Sequence, residues 1–305
     1  MLDPAELFTL AADRPELDRP VLVQALEGFV DAGGARRLAA EHLLATLDSQ
    51  VVVTFDVDQL FDYRARRPEM TFATDHWASY ADPKLEIHAL RDGAGNGFLL
   101  LVGPEPDVQW ERFVQAIFLV VDQLDVRLSI GLNAIPMAVP HTRPAGVIAH
   151  ASRLELIPGY DAWVSAVQVP ASAGHLIEYR LGQAGIDAAG FAVNVPHYVA
   201  QIDYPAAAVT LLECVAKTSG LVLPTDVLAE AARTTRASID EQVAASDEVG
   251  SVVRALEAQY DSFVAGTGRS LVAEGAPLPS ADEIAAEFEQ YLSQQPGAGD
   301  PPPAI

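Results

Sequence analysis

"AAGFAVNVPHYVAQIDYPAAAVTLLE", Ala188 to Glu213, sets the fold. Its first eight residues are almost wholly apolar, the pattern of a strand buried on both faces. Pro196 should end that strand, because proline cannot donate to a β-ladder. Asp203 is placed to cap a helix, with Pro205 just inside its first turn. Strand, polar loop and helix in that order make the repeating unit of an α/β sheet.

The same grammar recurs upstream. "VLVQAL" (21–26) breaks at Gly28 and leads into an Ala-rich helical stretch over 32–47. "VVVTFD" (51–56) is a second strand, and residues 57–83 form an excursion without clear periodicity. "KLEIHAL" and "GFLLLVG" flank "RDGAGN", which has hairpin-turn chemistry. A helix over 107–124 places Trp110, Phe113, Val114, Ile117, Val121 and Leu124 on one face. Strands follow at 126–135, at "AGVIAHAS" and at "AWVSAVQVP", then a helix over 172–185. Helices over 225–245 and 247–264 come next, the second with an apolar stripe of Val249, Val252, Val253, Leu256, Tyr260 and Phe263. Ser280 and Glu283 form a capping-box signature for a last helix reaching about 292. The order predicts a three-layer α/β/α fold with a mostly parallel, mixed central sheet. An α/β core would occupy 1–221, a helical region 222–293 and a disordered tail 294–305.

Composition narrows the partners. The chain has 305 residues, half of them hydrophobic, and a formal net charge of −23. Nucleic acid and anionic membrane surfaces reward positive charge, so neither is expected to bind. No apolar run reaches the roughly 20 residues needed to span a bilayer. No signal-peptide pattern opens the chain, so a cytoplasmic location is expected. The single cysteine, Cys214, excludes an internal disulfide and a cysteine-rich metal site, and its apolar helical surroundings read as core.

In open α/β sheets ligands bind beyond the carboxyl ends of the strands. Four segments fall there: "EGFVDAGG", "GPEPDVQW", "NAIPMAVPHTRP" and "NVPHYVAQ". They supply the candidate cleft residues Glu27, Asp31, Gly33, Glu105, Asn133, His141, Arg143, Asn194 and His197. Gly33 and Gly34 either offer backbone N–H groups to an anion or make a tight turn; neither GxGxxG nor a P-loop is present. Asp31 pairs with Glu27 as a carboxylate dyad or simply complements a helix N-terminus. His141 and His197 read as a metal pair, as an acid–base group, or as hydrogen-bonding loop residues. No HExxH or spaced Cys/His/Asp set accompanies them, so no metal is expected, and no cofactor can be specified. Arg143 offers a fork of donors to an anion, or pairs with Glu105 or Asp107. His42, His76, His88, His150 and His175 receive no role on this reading. No GxSxG elbow and no other catalytic motif appears, so catalysis stays an open question.

"ALEGFVDAGG", "LVGPEPDVQWERF", "GLNAIPMAVPHTRP", the opening stretch and "LEAQYDSF" together closely resemble the actinobacterial branch of the proteasome assembly chaperone type 2 family, over about residues 20–265. The chain departs from that pattern at Asn194, where a histidine would be expected, which weakens a metal pair at 194 and 197. The resemblance implies an α/β/α fold akin to nucleoside phosphorylases and a non-enzymatic protein-binding or assembly role, with proteasome subunits as possible partners. It also implies a homo-oligomer, a trimer by analogy with phosphorylase-like folds. The alternative is a nucleoside- or phosphate-type small-molecule site on the strand rim.

Overall fold

The computed structural model describes residues 2–160 and 166–265. Its strands are β1 (Phe8–Leu10), β2 (Val21–Glu27), β3 (Ser49–Phe55), β4 (Met70–Ala73), β5 (His76–Tyr80), β6 (Glu86–Arg91), β7 (Gly97–Pro104), β8 (Leu128–Met137), β9 (Val147–Ala151) and β10 (Ala188–Pro196). Its helices are α1 (Ala35–Thr46), α2 (Trp110–Gln123), α3 (Ala173–Gln183), α4 (Pro205–Ser219), α5 (Asp226–Ala244) and α6 (Asp247–Ala265). One compact unit spans Met1–Ser262; a second, Phe263–Ile305, contributes only the end of α6 to the described residues.

Eight strands form one sheet in the order β1-β3-β6-β7-β2-β8-β10-β9. The central strands β7, β2, β8 and β10 are mutually parallel, and β3 points the same way across two antiparallel pairings. β1, β6 and β9 run against them, so the sheet is mixed and mostly parallel. All nine residues of β10 and the first six of β2 are buried, as two covered faces require.

Alternation sorts those residues between two cores. Val21, Val23, Leu128, Ile130, Phe191 and Val193 pack with α1 and α4. Leu22, Leu26, Leu99 and Leu101 pack with α2 and α3 on the other face. Helix α5 lies on α4 and adds Leu228 and Ile239 to the first core. Cys214 is buried there too, its Sγ 3.3 Å from the Tyr160 hydroxyl.

Several expectations need correction. Helix α1 starts at Ala35 instead of 32, because Gly33 and Gly34 take left-handed backbone angles. Helix α2 starts at Trp110 behind a left-handed Gln109, while Asp107 accepts from the Asp62 N–H and pairs with Arg66. Asp203 does not cap α4; Tyr204 holds that position and Asp203 pairs with Arg37. The excursion contains the hairpin β4–β5, a two-stranded sheet separate from the main one. Ala166–Pro170 forms no strand, and the remainder of that expected strand, with the helix over 280–292 and the tail, lies outside the described residues. The stripe on α6 divides: Val253 and Leu256 are buried, whereas Val249 and Val252 are exposed.

Candidate functional site

Because β2, β7, β8 and β10 run the same way, the four quoted loops leave one edge of the sheet. They then part to different faces. At the end of β2, Gly33 donates its N–H to the Ala200 carbonyl (2.8 Å), and Tyr204 donates its N–H to the Gly33 carbonyl (2.8 Å). A Cβ at Gly33 would lie 2.7 Å from that of Tyr204, at a φ of +66°. Glycine is therefore required by a tight lock between two turns, and no free anion cradle is needed to explain it. Asp31 accepts from the Arg36 N–H (2.8 Å) and the Arg37 N–H (3.1 Å), which fixes it to the first turn of α1.

The two Val-Pro-His loops tie outer helices to the sheet. His141 is buried. Its backbone N–H donates to the Tyr198 hydroxyl (2.8 Å), which in turn donates to His141 Nδ1 (2.6 Å). That leaves the Nε2–H to donate to Asp240 Oδ1 on α5 at 2.9 Å. Arg143 grips α6 with a fork on Asp261 (2.8 and 2.7 Å) and a contact to Glu257 (3.3 Å), instead of reaching Glu105 or Asp107. Asp261 raises the Arg143 pKa further, against a smaller effect of burial. His197 is exposed and stands edge-on to Tyr198. His141, Arg143 and His197 thus do not join Glu105 and Asn133 in one cleft.

Glu105 and Asn133 line a small chamber on the α3 face of the sheet, with Gln24, Arg36, His150, Ser172, His175 and Glu178. Small residues leave its space: Gly131 on β8 in the floor and Gly174 in the first turn of α3. The cavity volume is about 30 Å³, enough for about two water molecules and too small for a nucleoside. Glu105 accepts from the Ala173 N–H, and Ser172 Oγ accepts from the His175 N–H (3.2 Å), so α3 is capped twice at the chamber. Asn133 Oδ1 accepts from Ala134 N–H (3.0 Å), while its Nδ2 points to His175 Nε2 at 3.5 Å. Gln24 Nε2 donates to Ser129 Oγ at 2.7 Å. Glu27 and Asp31 stand outside the lining but act on Arg36 electrostatically. Asn194 lies on the same sheet face, and its Oδ1 is buried without a partner among the described residues.

Charges in the chamber are set against one another. Burial lowers the Arg36 pKa, and Asp31, Glu27 and Glu105 oppose that effect. Burial also raises the Glu105 carboxyl, against the Ala173 N–H, Arg36 and Arg66. His150 Nδ1 donates to Glu178 Oε1 at 2.7 Å. Burial disfavours the His150 imidazolium, but the hydrogen bond and charge of Glu178 win and hold its pKa above the ordinary value. His175, 6.1 Å away between ring centres, is pushed down by burial and by the charges of His150 and Arg36. Two neighbouring imidazoles are thus shifted in opposite directions, His150 toward the cation and His175 toward the neutral form. Cys214 lies in the core on the other face, so no thiol reaches them.

Gln24, Arg36, His150, Ser172, His175 and Glu178 escape the sequence reading. The one local signal is Gln24, a polar residue inside "VLVQAL" that is 3% exposed. The others come from an edge strand and two helices, and only the tertiary fold unites them. Among the described residues, no group of three or more His, Cys, Asp or Glu side chains is arranged to hold a metal ion. No helix among them is long and apolar enough to cross a membrane.

The model of the PAC2 family matches residues 25–243. Among solved structures, the chain is similar to Rv2714 of Mycobacterium tuberculosis, a protein of unknown function, with 54% identity and a TM-score of 0.82 over 85% of this chain and 92% of that one. It is also similar to a protein of unknown function from Corynebacterium glutamicum, with 36% identity and a TM-score of 0.83 over 86% of this chain and all of that one. A third neighbour is the M. tuberculosis proteasome-assembly chaperone homologue Rv2125, with 28% identity and a TM-score of 0.70 over 76% of this chain and 99% of that one. Among curated proteins, nothing matches.

Proposed function

The chain belongs to the PAC2 family, and from that premise we propose that it is a non-enzymatic protein-binding module that engages proteasome subunits during assembly and works as a homo-oligomer. The observation that carries this reading is the hairpin β4–β5. Met70, Phe72, Trp77 and Tyr80 are 49%, 57%, 63% and 47% exposed on it, and Phe72 and Trp77 pack edge to face at 5.2 Å. An isolated two-stranded hairpin is marginal in water, and contiguous exposed aromatics mark interaction surfaces. The neighbour Rv2125, named for proteasome assembly, supports the choice of partner.

The test mixes the purified chain with separately purified proteasome α-subunits and reads complexes by native mass spectrometry. A complex should form, and the Phe72→Ser/Trp77→Ser double variant should lose it while keeping the far-UV spectrum of the α/β unit. Absence of any complex, or a complex indifferent to the double variant, contradicts the role given to the hairpin.

A further inference from the structure

Two polar atoms in the chamber have no partner among the described residues: Gln24 Oε1, an acceptor, and Arg36 Nε, a donor. The two residues are 3% and 5% exposed, and both line the same hollow. Buried polar groups are nearly always satisfied, so two orphans in one cavity call for an explanation. The hollow is open at Gly174, where a Cβ would point to Gln24 Oε1 from 4.0 Å. Gly174 needs no special backbone angle, so nothing local demands glycine there.

We propose that the chamber receives the carboxamide head of a neutral small molecule, whose apolar body lies in the cleft next door. A carboxamide offers its carbonyl to Arg36 Nε–H and its N–H to Gln24 Oε1. Its acceptor and donor match the two orphans, one each. Charge selects neutrality. Arg36 already faces Asp31, Glu27 and Glu105, and His150 already holds Glu178. An added carboxylate or phosphate would enter among those carboxylates, and an added ammonium would meet Arg36. Size admits the head alone, since the chamber is about 30 Å³.

The body has a place to go. His150, His175 and Glu178 are a wall shared with an open cleft of about 880 Å³, otherwise lined mainly by Val169, Pro170, Ala171, Leu176 and Tyr179. A polar inner end with few convergent groups and an apolar outer wall is the usual make-up of a small-molecule site. This site is independent of the hairpin and does not rest on the protein-binding role.

Benzamide is the probe, titrated into the full-length protein and followed by ¹H–¹⁵N chemical shifts, with benzoate and toluene as comparisons. Benzamide should bind with a dissociation constant on the order of 1 mM and shift the signals of Gln24, Gly174 and His175. Benzoate and toluene should each bind at least about tenfold more weakly, a difference of about 1.4 kcal/mol. Gly174→Ala, whose added methyl meets only ordinary contacts, should abolish benzamide binding and leave the rest of the spectrum in place. Tyr179→Ala, at an exposed position on the cleft wall, should weaken binding without abolishing it. Absence of benzamide binding, equal binding of benzoate or toluene, or binding that survives Gly174→Ala unchanged overturns the proposal.

Discussion

Two groups of polar residues meet one sheet, one in the loops beyond its carboxyl edge and one within its α3 face, and they differ in how their hydrogen bonds are accounted for. The Val-Pro-His loops look functional in sequence, with His141, Arg143 and His197 beside prolines. Yet every polar atom of the His141 ring has a partner, on Tyr198 or on α5, and Arg143 is bound to α6. The chamber on the α3 face looks unremarkable in sequence, yet it holds Gln24 and Arg36 with unpartnered buried atoms. A satisfied polar cluster is a structural fastening; an unsatisfied one leaves a role to fill. The difference separates what holds α5 and α6 in place from what faces a hollow.

Breaking the fastening should have the largest effect. His141→Ala removes a buried ring, the acceptor of the Tyr198 O–H and the donor to Asp240, so it should cost about 2–4 kcal/mol in urea unfolding. A loss below about 0.5 kcal/mol would mean that the loop is not a fastening. Arg143→Ala should act more locally, because its ion pairs are partly solvent-exposed. Hydrogen exchange should quicken in α6 and stay unchanged in β2, β8 and β10. Uniform acceleration across the sheet would contradict the local role.

The smallest effect is a titration difference within the chamber. By histidine NMR, His150 should titrate above the ordinary value of about 6.5 and His175 below it. The linkage signs are opposite. The His150–Glu178 contribution to stability is complete below about pH 6.5 and is lost as pH rises through the raised folded pKa. The His175 contribution is present above about pH 6.5 and is lost as pH falls through its lowered pKa. Glu178→Gln should bring the His150 midpoint down. Coincident midpoints in the unaltered protein would show that the two rings share one environment.

Much of the fold is legible in the sequence because two-sided burial writes long apolar runs. β2, β7, β8 and β10 are read from such runs, and Pro205 marks the start of α4. β1 escapes because three residues carry no periodicity; its place comes from pairing with β3. β4–β5 escapes because it has no buried face, so no alternation is imposed on it. The site is less legible for a similar reason. Motif reading finds Glu105, just beyond the end of β7, and Asn133, inside β8 where the quoted loop motif begins. His150 sits on an edge strand and His175 on a helix, and their meeting depends on Gly190, where a Cβ would lie 2.2 Å from His150 Cε1. Hydrogen-bond satisfaction, which separates fastening from site, is a tertiary property with no signature at single positions.

The most direct measurement compares unfolding free energies of His141→Ala and the Gln24→Met/Ser129→Ala double variant. The double variant removes both partners of the 2.7 Å bond together with the orphaned carbonyl. Replacing both partners by apolar groups should be neutral or stabilising, while His141→Ala loses about 2–4 kcal/mol. If the double variant loses as much as His141→Ala, the chamber is a fastening like the loops, and the distinction between the two regions fails.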